Sequence, residues 1–67
     1  MRPMSLAAAR VDAEFTQAEV AKRLRVSKAT IVAWERGQSE PKVGQFEALC
    51  HLYNRGIDEI FLKKKSN

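Results

Sequence analysis

Apolar residues in this chain recur at helical steps, and the pattern breaks wherever turn residues stand. Leu6, Ala9 and Ala13 share a stripe with Arg10, after Pro3 and a Ser5 able to cap; this predicts a helix over about 5–13. Thr16-Gln17-Ala18-Glu19 has the form of a capping box, in which a threonine oxygen takes an orphan N–H and Glu19 reaches back to the cap amide. Phe15 precedes that cap and Val20 follows it at staple spacing. Val20, Ala21 and Leu24 make the apolar stripe of the second helix, with Lys22 and Arg23 pointing away. Arg25-Val26 reads as a turn, with Val26 plugging the angle. Ser27 caps a third helix whose inner stripe is Ile31 and Trp34, and Gly37 stands where a left-handed residue ends it. Gln38 to Lys42 is a loop in which Pro41 prevents continuation of a helix. Val43, Phe46, Leu49, Cys50 and Tyr53 predict a fourth helix over about 43–53. Asn54-Arg55-Gly56 breaks it, and Ile57 to Leu62 predicts a short fifth helix with Ile57, Ile60 and Phe61 inward. No segment carries the period of a strand. The expected architecture is all-α, a compact five-helix bundle, with residues 1–67 as one domain and flexible ends at 1–4 and 63–67.

Composition narrows the function. At 67 residues the chain is marginal as a lone domain, yet 45% hydrophobic residues suffice for one core. The lone cysteine excludes an internal disulfide framework and fits a reducing, cytoplasmic setting. No apolar run reaches the roughly 20 residues of a membrane span. Leu6 to Ala9 is cut off by Arg10 and Asp12, so no signal peptide is expected. One histidine, His51, and one thiol, Cys50, cannot assemble a zinc set, and no nucleophile–base constellation or phosphate-cradling glycine loop is present. An enzyme, a cofactor and a small-molecule ligand are therefore not expected.

The net charge is +4, and its placement says more than its size. Between Thr16 and Lys42 stand six cations (Lys22, Arg23, Arg25, Lys28, Arg36, Lys42) against three acids (Glu19, Glu35, Glu40). Two short helices joined by a tight turn, the second with a cationic, small-residue outer face, form the pattern of a helix-turn-helix that lays its second helix in the major groove of DNA. Lys28 can donate to guanine O6 or N7, and the methyls of Ala29, Ala33 and Thr30 or Val32 can touch thymine methyls. So plain a surface leaves part of the specificity to DNA shape and water. Thr16, Gln17, Ser27, Arg36, Gln38 and Lys42 are the expected phosphate contacts, with Arg25 beside the reading helix as a further one. Trp34 has the spacing of a core residue rather than a stacking platform.

The segments Phe15 to Ala21, Val26-Ser27, Ile31 to Gly37, Pro41, Phe46, Leu49 and Ile57 to Phe61, in this order and spacing, resemble the helix-turn-helix family of the lambdoid phage repressors and Cro proteins, the XRE family. The resemblance covers roughly Leu6 to Leu62. It implies a five-helix fold of the phage repressor DNA-binding-domain type, and base contact by Lys28, Ala29 and Ala33. It also implies a phosphate at Gln17 and a structural ion pair between Arg10 and Glu35. A two-fold homodimer is expected to form through Tyr53, Arg55, Ile57 and Phe61. The chain departs from the family where glycine is common between helices 1 and 2 (here Glu14) and in the helix 2–3 turn (here Arg25). It departs again at Arg55, where an aliphatic residue is usual. The expected function is a Cro-like transcriptional regulator, acting as a repressor on a short palindromic operator in a bacterial or phage-infected cell, associated with the nucleoid. The competing expectation is a protein-interaction module such as an antitoxin, with the C-terminal end as its working surface.

Overall fold

The computed structural model describes residues 2–63; Met1 and residues 64–67, most of the expected flexible ends, lie outside that range. The chain runs β1 (Met4–Ser5), α1 (Leu6–Asp12), α2 (Gln17–Leu24), α3 (Lys28–Arg36), α4 (Val43–Leu52), a 3-10 turn (Ile57–Glu59) and β2 (Ile60–Phe61). Three of the four helix starts carry the predicted caps. Ser5 Oγ accepts from the Ala8 amide at 3.1 Å and Ser27 Oγ from the Thr30 amide at 3.1 Å. The Thr16–Glu19 box closes in both directions, at 3.1 and 2.8 Å. The Thr16 amide and hydroxyl hold the exposed Glu19 carboxyl below its ordinary range. At α4 the Lys42 amide instead donates to Gln45 Oε1, at 2.8 Å.

All four helices end the same way. Glu14, Arg25, Gly37 and Asn54 each stand just past a helix with φ of 65°, 59°, 78° and 57°. The amide of each next residue reaches back to the carbonyl five positions earlier: Phe15 to Arg10, Val26 to Ala21, Gln38 to Ala33 and Arg55 to Cys50. This is the Schellman closure, which satisfies carbonyls a helix end would otherwise leave orphaned. Only one of the four left-handed positions holds glycine, so Glu14, Arg25 and Asn54 each carry a backbone penalty of about 1 kcal/mol. The Arg25→Gly variant is accordingly expected to gain up to about 1 kcal/mol in a urea melt, less the extra chain entropy glycine brings to the unfolded state.

Leu6, Ala9, Val20, Ala21, Ile31, Trp34, Leu49, Cys50, Tyr53 and Ile60 form the core, with Phe15, Leu24, Val26 and Phe46 packed around it. Burial raises the Cys50 thiol and the Tyr53 phenol above their ordinary values. Val43, expected in the inner stripe of α4, is exposed; the neighbouring Pro41 is the buried residue at that end.

The expected fifth helix is not formed, so the architecture of the described residues is four α-helices with a short parallel strand pair. Only Ile57–Glu59 make a helical turn. Ile60 and Phe61 then extend and pair with Met4 and Ser5, in the register Met4 to Ile60 and Ser5 to Phe61. Six residues are too few for a self-sustaining helix, and the N-terminal segment supplies backbone partners that a helix end would lack. The side chains follow the period of two: Ile60 is buried, Phe61 is 46% exposed and Leu62 is half-buried. Met4, expected in a flexible end, belongs to this pair.

Candidate nucleic-acid interface

The α2–turn–α3 unit places its two faces by simple helical spacing. Ile31 and Trp34 turn inward, Ala29 and Arg36 lie exposed on the opposite side, and Lys28, the first residue of the helix, is exposed at the flank of the inner stripe, with Thr30, Val32 and Ala33 half-buried. The six cations of the basic stretch are all exposed. Ser27 and Arg25, at the entry to α3, are exposed as well, as are Thr16, Gln38 and Lys42. Thr30 is more constrained than its composition suggested. Its hydroxyl lies 2.9 Å from Ser27 Oγ, so it is engaged with the cap, leaving the methyl as its main offering to a base.

The unit is held from below by a buried polar clamp. Arg10 Nε donates to Glu35 Oε2 at 2.7 Å and Arg10 Nη2 to Oε1 at 3.3 Å. The remaining Arg10 nitrogen donates to the Phe15 carbonyl at 2.8 Å. Gln17 Nε2 donates to Glu35 Oε1 at 3.0 Å. The pair is nearly dry, with side chains 15% and 7% exposed, and no buried side-chain polar atom among the described residues lacks a partner. One carboxylate on α3 therefore ties together α1, the loop after it and the first residue of α2. The angle between α2 and α3 is set by this clamp as well as by the apolar plug.

The structure revises the expected roles of several residues. Gln17, expected on a phosphate, spends one amide N–H on Glu35; its second N–H remains for an outside acceptor. Tyr53, expected at a dimer face, is 4% exposed, its ring 6.3 Å from that of Phe15; it is a core residue because the end of α4 packs it against Phe15, in the loop between α1 and α2. Arg55 is half-buried and bonded to Asp12 at the end of α1, which resolves its departure from the family pattern. Ile57 and Phe61, expected inward in a fifth helix and also at the partner face, are exposed. Arg23 sits over the Phe15 ring, 5.6 Å from its centroid, pinning a cation of α2 in place. Nothing in the linear pattern pointed to the Asp12–Arg55 pair, whose members are 43 positions apart. Gln17's share in the clamp was detectable only as a polar residue at a helix start.

Among the described residues no group of three or more His, Cys, Asp or Glu could hold a metal ion, and no helix is long and apolar enough to cross a membrane.

This fold and face define a helix-turn-helix protein, and the helix-turn-helix family model matches residues 6–60; the chain belongs to that family, in its XRE branch. It is also similar to the cryptic phage CTXphi transcriptional repressor RstR of Vibrio cholerae, at 34% identity over 58 residues, 87% of this chain. The chain spans about half of that relative's length (52%). No solved structure matches it.

Proposed function

We propose that this protein is a sequence-specific, double-stranded DNA-binding regulator of transcription that reads the major groove with the N-terminal half of α3. The observation that carries the reading is the exposed Lys28–Ala29 start of a helix locked from behind by the Arg10–Glu35–Gln17 clamp. A preorganised reading helix loses little freedom on docking. Lys28, Ala29, Thr30 and Ala33 meet base edges; Thr16, Gln17, Arg25, Ser27, Arg36, Gln38 and Lys42 hold phosphates. The name of the relative, a transcriptional repressor, supports repression.

A homodimer on a palindromic operator completes the reading. Ile57, 60% exposed, and Phe61 are apolar side chains that a second copy would cover, with Arg55 alongside. The two reading helices would then lie about 34 Å apart, one turn of DNA.

Selection of a duplex from a random pool, followed by salt-dependent gel shifts, tests the proposal. Lys28→Ala is expected to relax base preference at one position of each half-site, at a cost of about 1–3 kcal/mol. Lys42→Ala is expected to weaken all duplexes alike and to lower the salt slope by about one. Weak binding to every duplex, together with tight binding to a co-expressed protein, would overturn the reading in favour of an antitoxin-like module.

A further inference from the structure

We propose that the groove between the end of α2 and the outer face of α4 docks an amphipathic helix of a partner protein. That helix carries an acid on the flank that meets α2 and a base on the flank that meets Glu47.

The groove is open and holds about 770 Å³. Leu24 of α2 lines it together with Gly44, Ala48 and Leu52 of α4, so its floor is apolar. The three α4 residues stand four positions apart, in one row along the helix. None of the lining residues belongs to the proposed base, phosphate or dimer sets. A partner seated here and a duplex on α3 therefore do not compete for side chains.

Gly44 has no internal reason to be glycine. Gly37 has two: its φ is 78°, and a Cβ there would stand 2.9 Å from the Lys63 carbonyl oxygen, because the Lys63 backbone lies against it. At Gly44 the φ is not positive, and a Cβ meets nothing within 4 Å among the described residues. Glycine weakens a helix relative to alanine, so the chain forgoes stability at this position. What it supplies is room. With Ala48 one turn on, the α4 backbone is bare enough for a second helix to lie close against it.

The two walls carry opposite charges. Arg23, on the α2 wall, is exposed and held over the Phe15 ring. The carboxylate one turn before it, Glu19, accepts from the Thr16 amide at 2.8 Å. On α4, Glu47 stands on the flank of the row away from Leu52. Leu52 is half-buried and Glu47 exposed, so the Leu52 flank turns toward α2 and the Glu47 flank away from it. Neither Arg23 nor Glu47 forms a salt bridge among the described residues. A floor this open does not enclose a small molecule. An apolar floor between a cation and an acid matches an amphipathic helix with oppositely charged flanks. The charges also fix the partner's direction, because a reversed helix would set like against like.

The test selects a displayed library of helical peptides on the full chain and counter-selects it on Gly44→Leu, which fills the groove without removing a contact. The recovered peptides are expected to share an apolar i, i+3, i+4, i+7 stripe with an acid on one flank and a base on the other. Gly44→Leu is expected to weaken them by at least about tenfold in fluorescence anisotropy. It is expected to melt no lower than the wild type, since leucine is the better helix former. If it does melt lower, Ala48→Leu is the second plug. Combining Arg23→Glu with Glu47→Arg is expected to select peptides with the two flanks exchanged. Failure to recover any peptide that prefers the wild type to the plugged variant overturns the site. Recovered peptides without oppositely charged flanks, or indifferent to the charge exchange, overturn the partner assigned to it. Self-association of the wild type that Gly44→Leu abolishes would give the groove to a second copy instead, and so overturn it as well. No duplex enters the experiment, so its failure and that of the DNA-binding reading are independent.

Discussion

Replacing Glu35 by alanine is expected to cost about 3–5 kcal/mol of folding stability, because it removes one partner of a buried ion pair and strands the other. The Arg10 guanidinium, 15% exposed, would keep only the Phe15 carbonyl, and the Gln17 amide would lose its acceptor. Folded domains hold roughly 0.05–0.15 kcal/mol per residue, so a chain this short has about 3–10 kcal/mol in all. Glu35→Ala should therefore populate the unfolded state visibly in a urea melt at room temperature. Glu35→Gln, which keeps an oxygen in place, should cost less. Substituting Arg10 and Glu35 together by apolar residues of similar volume should be far milder than either single loss, since most of the penalty is the uncompensated charge. A Glu35→Ala midpoint indistinguishable from wild type would show that the clamp does not brace the fold.

Ile31→Ala is expected to destabilise by about 2–5 kcal/mol, the usual range for emptying a fully buried aliphatic site. Ile31 is 1% exposed and sits where α3 meets the rest of the core, so neighbouring side chains have little room to close the gap. Lys28, exposed at the first position of the same helix, gives the contrast. Lys28→Ala should leave stability within about 0.5 kcal/mol while changing base preference. Denaturant midpoints with unchanged m-values, measured beside the duplex selection, separate the two effects. Equal destabilisation by both substitutions would mean that the inner and outer faces of α3 are wrongly assigned.

Much of the scaffold of the candidate interface was legible because its determinants are local. Ser5, Thr16, Glu19 and Ser27 act on amides three residues away, and Gly37 acts on the turn it occupies. The stripes of α2 and α3 repeat within a few turns. The Arg10–Glu35 pair was reached differently, through resemblance to a family, since two charges far apart in sequence carry no mark of their pairing. Tyr53 shows the limit of periodicity: it lies on the apolar stripe of α4, yet it was also assigned to a partner face. Only the packing of Phe15 against its ring settles which surface it serves.

By itself the sequence determined the four helices, the caps of the first three, the inward Ile31 and Trp34 and the exposed Lys28, because helical hydrogen bonding and side-chain direction are set within a turn. The tertiary structure alone decided three things. Ile60-Phe61 became a strand because Met4-Ser5 lay within reach to pair with it. Gln17 and Arg55 turned to Glu35 and Asp12 because folding brought those carboxylates beside them. Lys63 came to rest on Gly37 because the strand pair aims the chain across the end of α3. In each case the deciding partner is distant along the chain, and its contribution exists only once the chain has closed.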